Sequence, residues 1–139
     1  MNLAAVGNES LIEQAIVFKG IPAEAKRCSL WWKQADVSER SFTVAGQGLT
    51  SIIQLNGFPA EGEPISFNSL EQFEHEGAVS MGPEFTGWPN VKGASTHLAG
   101  SIDCSEDLFF RISVRVSQGD GFIYLAQDEK NGFYVAYTT

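Results

Sequence analysis

The segment DLFFRISVRVS, residues 107–117, restricts the fold of this chain more than any other. Every second side chain in it is apolar, namely Leu108, Phe110, Ile112, Val114 and Val116. The positions between them hold a mixed set, Asp107, Phe109, Arg111, Ser113 and Arg115. A period of two sustained over about ten residues places the two sets on opposite faces of a β-strand. We therefore predict a half-buried strand whose first set faces a core.

Shorter segments show the same alternation along much of the chain. Strands are expected at residues 12–20, 28–33, 41–46 and 49–57, and glycine-containing turns separate several of them. Near the C-terminus, FIYLAQ and GFYVAYTT flank a turn in which Asn131-Gly132 supplies the positive φ of a tight hairpin. The last three strands are thus predicted to form an antiparallel meander.

The middle of the chain, residues 57–97, is less regular. It holds four of the five prolines, so long loops are expected there, with short strands near residues 78–81 and 98–103. About eight or nine short strands separated by turns are typical of an antiparallel β-sandwich, here predicted to be of the jelly-roll type. Because the chain has 139 residues and 43% are hydrophobic, we expect a single all-β domain over residues 1–139.

Charge and hydropathy narrow the classes of partner. The net charge of −8 repels nucleic-acid backbones and anionic membrane surfaces, so neither is expected to bind. No apolar run approaches the roughly 20 residues that span a bilayer. The N-terminal MNLAAVGNES lacks the basic start of a signal peptide. We interpret the chain as a mature extracellular or cell-wall fragment, with an intracellular protein as the alternative.

The two cysteines, Cys28 and Cys104, are predicted to face the core. Cys28 shares a strand face with Leu30 and Trp32, and Cys104 is in phase with Leu108. A disulfide between them would stabilise the fold by roughly 4.5 kcal/mol if it acts through the entropy of the unfolded chain. Two separate buried thiols are the alternative.

Motifs for catalysis or metal binding are missing from the sequence. His75 and His97 do not have the spacing of common metal sites, so they are expected to be solvated loop residues. No GxSxG nucleophile motif is present. We therefore predict a protein that is not an enzyme and has no cofactor and no bound metal.

The acidic residues leave two alternatives open. Asp103, Glu106 and Asp107, with Asp120 or Asp128, form a group that would suit calcium, although the spacing of a calcium loop is absent. A pair of carboxylates from the glutamate-rich middle segment would suit a hydrolase. The simpler interpretation of both groups is a solvated acidic surface.

Aromatic residues outside the predicted core are the candidate binding residues. Trp31 and Phe109 point away from the core by strand alternation, and Trp88 lies in a loop rich in glycine and proline. Exposed aromatic rings stack on sugars or anchor protein partners. The alternative is that the middle segment folds over these rings and buries them.

Four segments together resemble a known family. GIPAEAKRCSLWW, GQGLTSIIQL, GSIDCSEDLFFRI and NGFYVAY are similar to the fungal ubiquitin-3-binding-protein C-terminal domain family. The resemblance implies a secreted or cell-surface fungal β-sandwich module and supplies no catalytic residues.

Taken together, these features predict a non-catalytic, secreted or cell-wall-associated module that recognises a glycan or another surface component. A protein-interaction module or a secreted effector that acts on a host protein is the first alternative. A carboxylate-dependent hydrolase is the second. The sequence does not predict an oligomeric state.

Overall fold

The computed structural model describes residues 1–74 and 80–139. This part of the chain forms ten strands: β1 (Asn2–Val6), β2 (Glu9–Ile12), β3 (Gln14–Phe18), β4 (Lys26–Gln34), β5 (Phe42–Gly46), β6 (Thr50–Leu55), β7 (Ser95–Ser101), β8 (Leu108–Val114), β9 (Gly121–Leu125) and β10 (Gly132–Thr138). One short helix, α1 (Phe67–Glu71), follows β6, and 3₁₀ turns occupy Val37–Glu39, Trp88–Asn90 and Val116–Gln118. In the described ranges no helix has the length and apolar character that crossing a bilayer requires.

The strands form three antiparallel sheets. Their orders are β2-β1-β9-β5, β3-β8-β6 and β10-β4-β7. The predicted all-β sandwich is confirmed. A jelly roll has two sheets and eight strands, so that finer topology remains a prediction.

The core lies between the inner faces of the sheets, and alternation in β8 and β4 supplies much of it. Leu108, Phe110, Ile112 and Val114 are at most 2% exposed, as the period of two predicts. Val116 departs from the pattern because the strand has ended and a 3₁₀ turn has begun there. Leu30 and Trp32 of β4 join this core.

The predicted C-terminal meander is wrong, because β8, β9 and β10 lie in three different sheets. The side chain of Gln127 makes hydrogen bonds to the backbone of β10 of the kind that a neighbouring strand would make. Its Nε2 donates to the carbonyl of Phe133, and the Phe133 N–H donates to its Oε1 at 3.0 Å. The buried Asn131 holds the turn against the end of β4, accepting a hydrogen bond from Ala35 N–H at 2.8 Å. The chain thus crosses between sheets, and β10 pairs with β4 instead of β9.

The β1–β2 hairpin was not predicted, although its turn carries a recognisable signal. Gly7 and Asn8 have φ values of 62° and 67°. Two successive residues with positive φ form the tight turn that suits a hairpin, and Gly-Asn is one of the pairs that favour it.

The middle segment agrees with the prediction only in part. Residues 78 and 79 of the expected strand lie outside the described residues, and Met81 forms an isolated bridge with Ile52. The strand expected at residues 98–103 begins and ends earlier, as β7. Helix α1 was not expected, and it begins at a capping box formed by Ser66 and Ser69.

The disulfide between Cys28 and Cys104 is confirmed, with Cα atoms 5.4 Å apart. Cys28 is 3% exposed, whereas Cys104 is exposed, which corrects the prediction that both face the core. The reason is that β8 begins only at Leu108, so strand alternation does not govern Cys104. The bond ties the β7–β8 loop to the start of β4.

Candidate functional site

The outer face of the sheet β10-β4-β7 carries the most distinctive surface. Strand pairing places Trp31 of β4 directly opposite Tyr134 of β10 and Leu98 of β7. Directly paired residues of antiparallel strands place their side chains on the same face of the sheet. Trp31 and Tyr134 are half-buried, and Leu98 is 57% exposed.

Trp31 and Tyr134 form what we call the aromatic platform. Their ring centroids are 6.3 Å apart and their planes are inclined by only 19°. Trp31 Nε1 donates a hydrogen bond to Ser29 Oγ at 2.9 Å, which fixes the orientation of the indole. Lys33 Nζ lies 5.2 Å from the centre of the Tyr134 ring. Two rings held by adjacent strands make a preorganised apolar surface with polar groups at its edge.

A cleft of about 570 Å³ lies at the end of the same sheet, and we call it the end cleft. Its walls come from the end of β4, the start of β7 and the β9–β10 loop: Lys33, Gln34, Ala35, Asp36, Glu39, Ala94, Ser95, Thr96, Glu129 and Lys130. A salt bridge between Lys130 and Glu39 crosses its rim. The hydrogen bond and negative charge of Glu39 raise the pKa of Lys130. Lys33 lines the cleft and contacts the Tyr134 ring of the platform, so the two features adjoin.

Trp88 lies on the other side of β4 from Trp31. It packs edge-on against the buried Trp32, with centroids 6.2 Å apart, and is itself half-buried. The structure therefore separates Trp31 from Trp88. The two residues do not form one binding surface.

His97 is not the solvated loop residue that the sequence predicted. It lies on β7 and stacks on Trp32 at 4.1 Å, and its ring is 4.0 Å from that of Trp88. Its Nε2 and the Ser95 hydroxyl form a hydrogen bond of 3.0 Å. Burial lowers the pKa of His97. His75 lies outside the described residues.

Phe109 lies on the outer face of a different sheet, β3-β8-β6. Phe58 from the middle segment stacks on it, with centroids 5.4 Å apart and planes inclined by 12°. The middle segment thus covers part of this sheet, as the alternative prediction for Phe109 proposed. Among the described residues, the aromatic ring that packs against Trp31 is that of Tyr134, which lies on β10 and not in the middle segment.

Two carboxylates form salt bridges with Arg111, which lies on the same outer face as Phe109. Glu13 accepts a hydrogen bond from Arg111 Nε at 2.6 Å, and Glu74 accepts one from Nη1 at 2.9 Å. Burial alone would lower the pKa of Arg111, but the hydrogen bonds and charges of the two glutamates raise it. A guanidinium between two carboxylates makes a structural ion-pair network. A hydrolase would instead leave such a pair open to substrate.

The acidic residues proposed for calcium do not form one cluster. Asp120 accepts a hydrogen bond from Gly7 N–H, and Asp128 caps its own turn by accepting from Lys130 N–H. Within residues 1–74 and 80–139, no group of three histidine, cysteine or acidic side chains is arranged to hold a metal ion.

Sequence reasoning identified Trp31 but missed its neighbours Tyr134, Lys33 and Leu98. Tyr134 lies in a segment with clear strand character, so its presence on a strand was visible. The residue opposite Tyr134 could not be identified, because β10 was expected to pair with the preceding strand and not with β4. Correct pairing of these two strands would have placed the two rings together.

Comparison with known proteins adds no assignment. No protein-family model, curated protein or solved structure matches the chain significantly. The resemblance to the fungal domain family therefore remains a prediction.

Proposed function

We propose that this protein is a non-catalytic module that binds glycans through the aromatic platform. The observation that carries this proposal is the near-parallel arrangement of Trp31 and Tyr134 on an outer sheet face. Apolar C–H faces of sugar rings stack on such side chains, and the edges of the sugar keep their hydroxyls free for hydrogen bonds. Lys33 and Thr96 lie on the same face at the neighbouring pair of β4 and β7 and supply donors.

Preorganisation strengthens the proposal. The hydrogen bond from Trp31 to Ser29 and the contact of Lys33 with Tyr134 hold the platform in place before any ligand arrives. Less side-chain freedom is then lost on binding, which raises affinity. A site on the outer face of a sheet suits an extended polymer better than a small molecule, which usually occupies a concave pocket.

The proposed setting is outside the cell or in the cell wall, as in the fungal family that the sequence resembles. The Cys28–Cys104 disulfide supports it, because such bonds persist mainly in oxidising compartments.

Affinity electrophoresis in gels that contain a soluble cell-wall polysaccharide tests the function. Laminarin, xyloglucan and glucomannan are suitable probes. We expect at least one to retard the wild-type protein, and Trp31→Ala and Tyr134→Ala to migrate freely. Tyr124→Ala is the matched control, because Tyr124 is 40% exposed on β9 of another sheet. Equal retardation of Trp31→Ala and wild type would refute the platform.

A second candidate function, protein interaction, is favoured by a groove beside β3. This strand is at an edge of its sheet, and all five of its residues line a cavity of about 290 Å³ together with Met1, Gln127 and Phe133. An unpaired strand edge next to an apolar wall can accept an extended peptide as an added strand.

Selection from a library of displayed ten-residue peptides tests this second function. Peptides with alternating apolar residues that protect the β3 amides from hydrogen exchange would support it. Absence of any enrichment would count against it.

A further inference from the structure

The tripeptide Asn8-Glu9-Ser10 has the sequence of an acceptor for N-linked glycosylation, and the proposed function does not use it. The oligosaccharyl transferase of the secretory pathway requires asparagine, then any residue except proline, then serine or threonine. This acceptor is the only one in the sequence. The other asparagines have no serine or threonine two positions later: Asn2, Asn56, Asn68, Asn90 and Asn131.

The structure presents Asn8 at the tip of the β1–β2 hairpin. Gly7 and Asn8 form a two-residue turn between the paired residues Val6 and Glu9. Asn8 is exposed, and a Cβ atom built at Gly7 would meet no atom within 4 Å, so the space around the turn is open. Asparagine is one of the few non-glycine residues that adopt a positive φ readily, so Asn8 suits the turn. Its side-chain amide makes no hydrogen bond with another described residue.

Ser10, the third residue of the acceptor, has a hydroxyl that the fold does not use. Its Oγ is buried and has no hydrogen-bond partner in the part of the chain that the structure describes. Burial of an unpaired hydroxyl lowers stability, and alanine would avoid that loss. The transferase, in contrast, requires this hydroxyl, and it acts on the chain during translocation, before β2 pairs with β1. A serine at this position is thus explained by the acceptor and not by the packing.

The same hairpin exposes three large apolar side chains. Val6, Leu11 and Ile12 are 53%, 56% and 40% exposed. In addition, β2 is an edge strand of its sheet. Apolar side chains on an exposed edge favour association between molecules. A glycan is bulky and strongly hydrated, so one attached to the tip of this hairpin would hinder such contacts.

From these observations we propose that Asn8 is a site of N-linked glycosylation and that its glycan shields the edge formed by β2. In the transfer, Asn8 Nδ2 forms a bond to C1 of the first sugar of an oligosaccharide that is carried on a polyprenyl pyrophosphate. The bond from C1 to the pyrophosphate oxygen breaks, the pyrophosphate leaves with the electron pair, and the amide nitrogen loses a proton. The inference rests on the proposed setting outside the cell and not on glycan binding by the aromatic platform.

Secretion of the chain from a eukaryotic host tests the attachment. We expect peptide-N-glycosidase F to lower the apparent mass of the wild-type protein and to convert Asn8 to aspartate, which tandem mass spectrometry locates. Ser10→Ala should be secreted without the glycan, and Ser10→Thr should keep it. Asn56→Gln is the matched control and should keep the glycan, because Asn56 is exposed but is not part of an acceptor sequence. A secreted wild-type protein whose Asn8 is unmodified would overturn the proposal, as would a glycan at Asn8 in Ser10→Ala.

Sedimentation velocity tests the shielding. Ser10→Ala serves as the unglycosylated form because it leaves the turn at Asn8 unchanged. We expect it to self-associate at a concentration at least about tenfold lower than the glycosylated protein. Leu11→Lys added to Ser10→Ala should restore the monomer. Val37→Lys makes the same change of charge at another exposed residue and should not. Equal association of the glycosylated and unglycosylated forms would overturn the shielding.

This proposal and the proposed function fail separately. Trp31→Ala should lose polysaccharide binding and still carry the glycan, because Asn8 joins two strands of a different sheet. Ser10→Ala should bind polysaccharide like wild type. If Trp31→Ala binds like wild type, the platform is refuted and the modification site stands. If Asn8 is unmodified in a protein that binds polysaccharide, the modification site is overturned and the platform stands.

Discussion

Trp31 and Tyr134 face each other across β4 and β10, and their ring centroids are 6.3 Å apart. The adjacent Trp32 is 2% exposed and packs in the core. Two consecutive tryptophans thus have different roles because neighbouring residues on a strand point to opposite faces. Trp32 stabilises the fold, and the half-buried Trp31 lies on the outer face of its sheet.

The Cys28–Cys104 disulfide is expected to contribute strongly to stability. The bond links two residues that are 76 positions apart in the sequence. Closing a loop of this length lowers the entropy of the unfolded chain and so stabilises the folded state by about 4.5 kcal/mol. Guanidinium unfolding of the Cys28→Ala, Cys104→Ser double variant should show a much lower midpoint than wild type. A midpoint equal to that of the oxidised wild-type protein would contradict this role.

His97 should make stability depend on pH. Burial between Trp32 and Trp88 lowers its pKa in the folded state, so the unfolded state binds the proton more readily. Stability is then unaffected by this group above the unfolded pKa of about 6.5 and falls as the pH drops from there through the folded pKa.

The imidazole pKa is measurable by NMR titration of His97, with His75→Gln used to simplify the spectrum. We expect a value below about 6.5. His97→Gln should also reduce the pH dependence of the unfolding midpoint between about pH 7 and pH 5. An imidazole pKa above the ordinary value would show that the ring is not desolvated as the structure indicates.

Removal of Arg111 alone from its ion-pair network should lower the free energy of unfolding. Glu13 has a side chain only 8% exposed, so Arg111→Met leaves a carboxylate nearly buried without this partner. We expect a loss of stability on the order of 2 kcal/mol, measured by urea unfolding. The double variant Glu13→Gln, Arg111→Met should recover part of the loss.

The exposed salt bridge between Lys130 and Glu39 offers the control for this prediction. Lys130 and Glu39 side chains are 61% and 47% exposed, so solvent screens their attraction. Lys130→Ala should therefore leave the unfolding midpoint almost unchanged. An effect equal to that of Arg111→Met would contradict the distinction drawn from burial.

Local patterns predicted the faces of strands well. The inward set of β8 and the opposite directions of Trp31 and Trp32 depend only on alternation within one strand, and both predictions agree with the structure. The disulfide was also predicted, but the direction of Cys104 was not, because it lies in a loop that has no alternation.

The pairing between strands was predicted poorly, and the prediction of the candidate site was incomplete as a result. Asn131-Gly132 indicated a hairpin, but the Gln127 side chain hydrogen-bonds the backbone of Phe133, and β10 pairs with β4 in another sheet. These bonds depend on side chains that meet only after folding, so a single sequence does not reveal them. Tyr134 was missed as the partner of Trp31 for the same reason.

The most direct test of the central claim is a ¹⁵N NMR titration of the tryptophan side chains. The chain has three tryptophans, and the signal of Trp31 Nε1–H is assigned by its loss in Trp31→Phe. On addition of a short oligosaccharide of the polysaccharide that retards the wild-type protein, we predict that the Trp31 signal shifts while that of the buried Trp32 stays in place. Saturable binding that leaves the Trp31 signal unmoved would contradict the account.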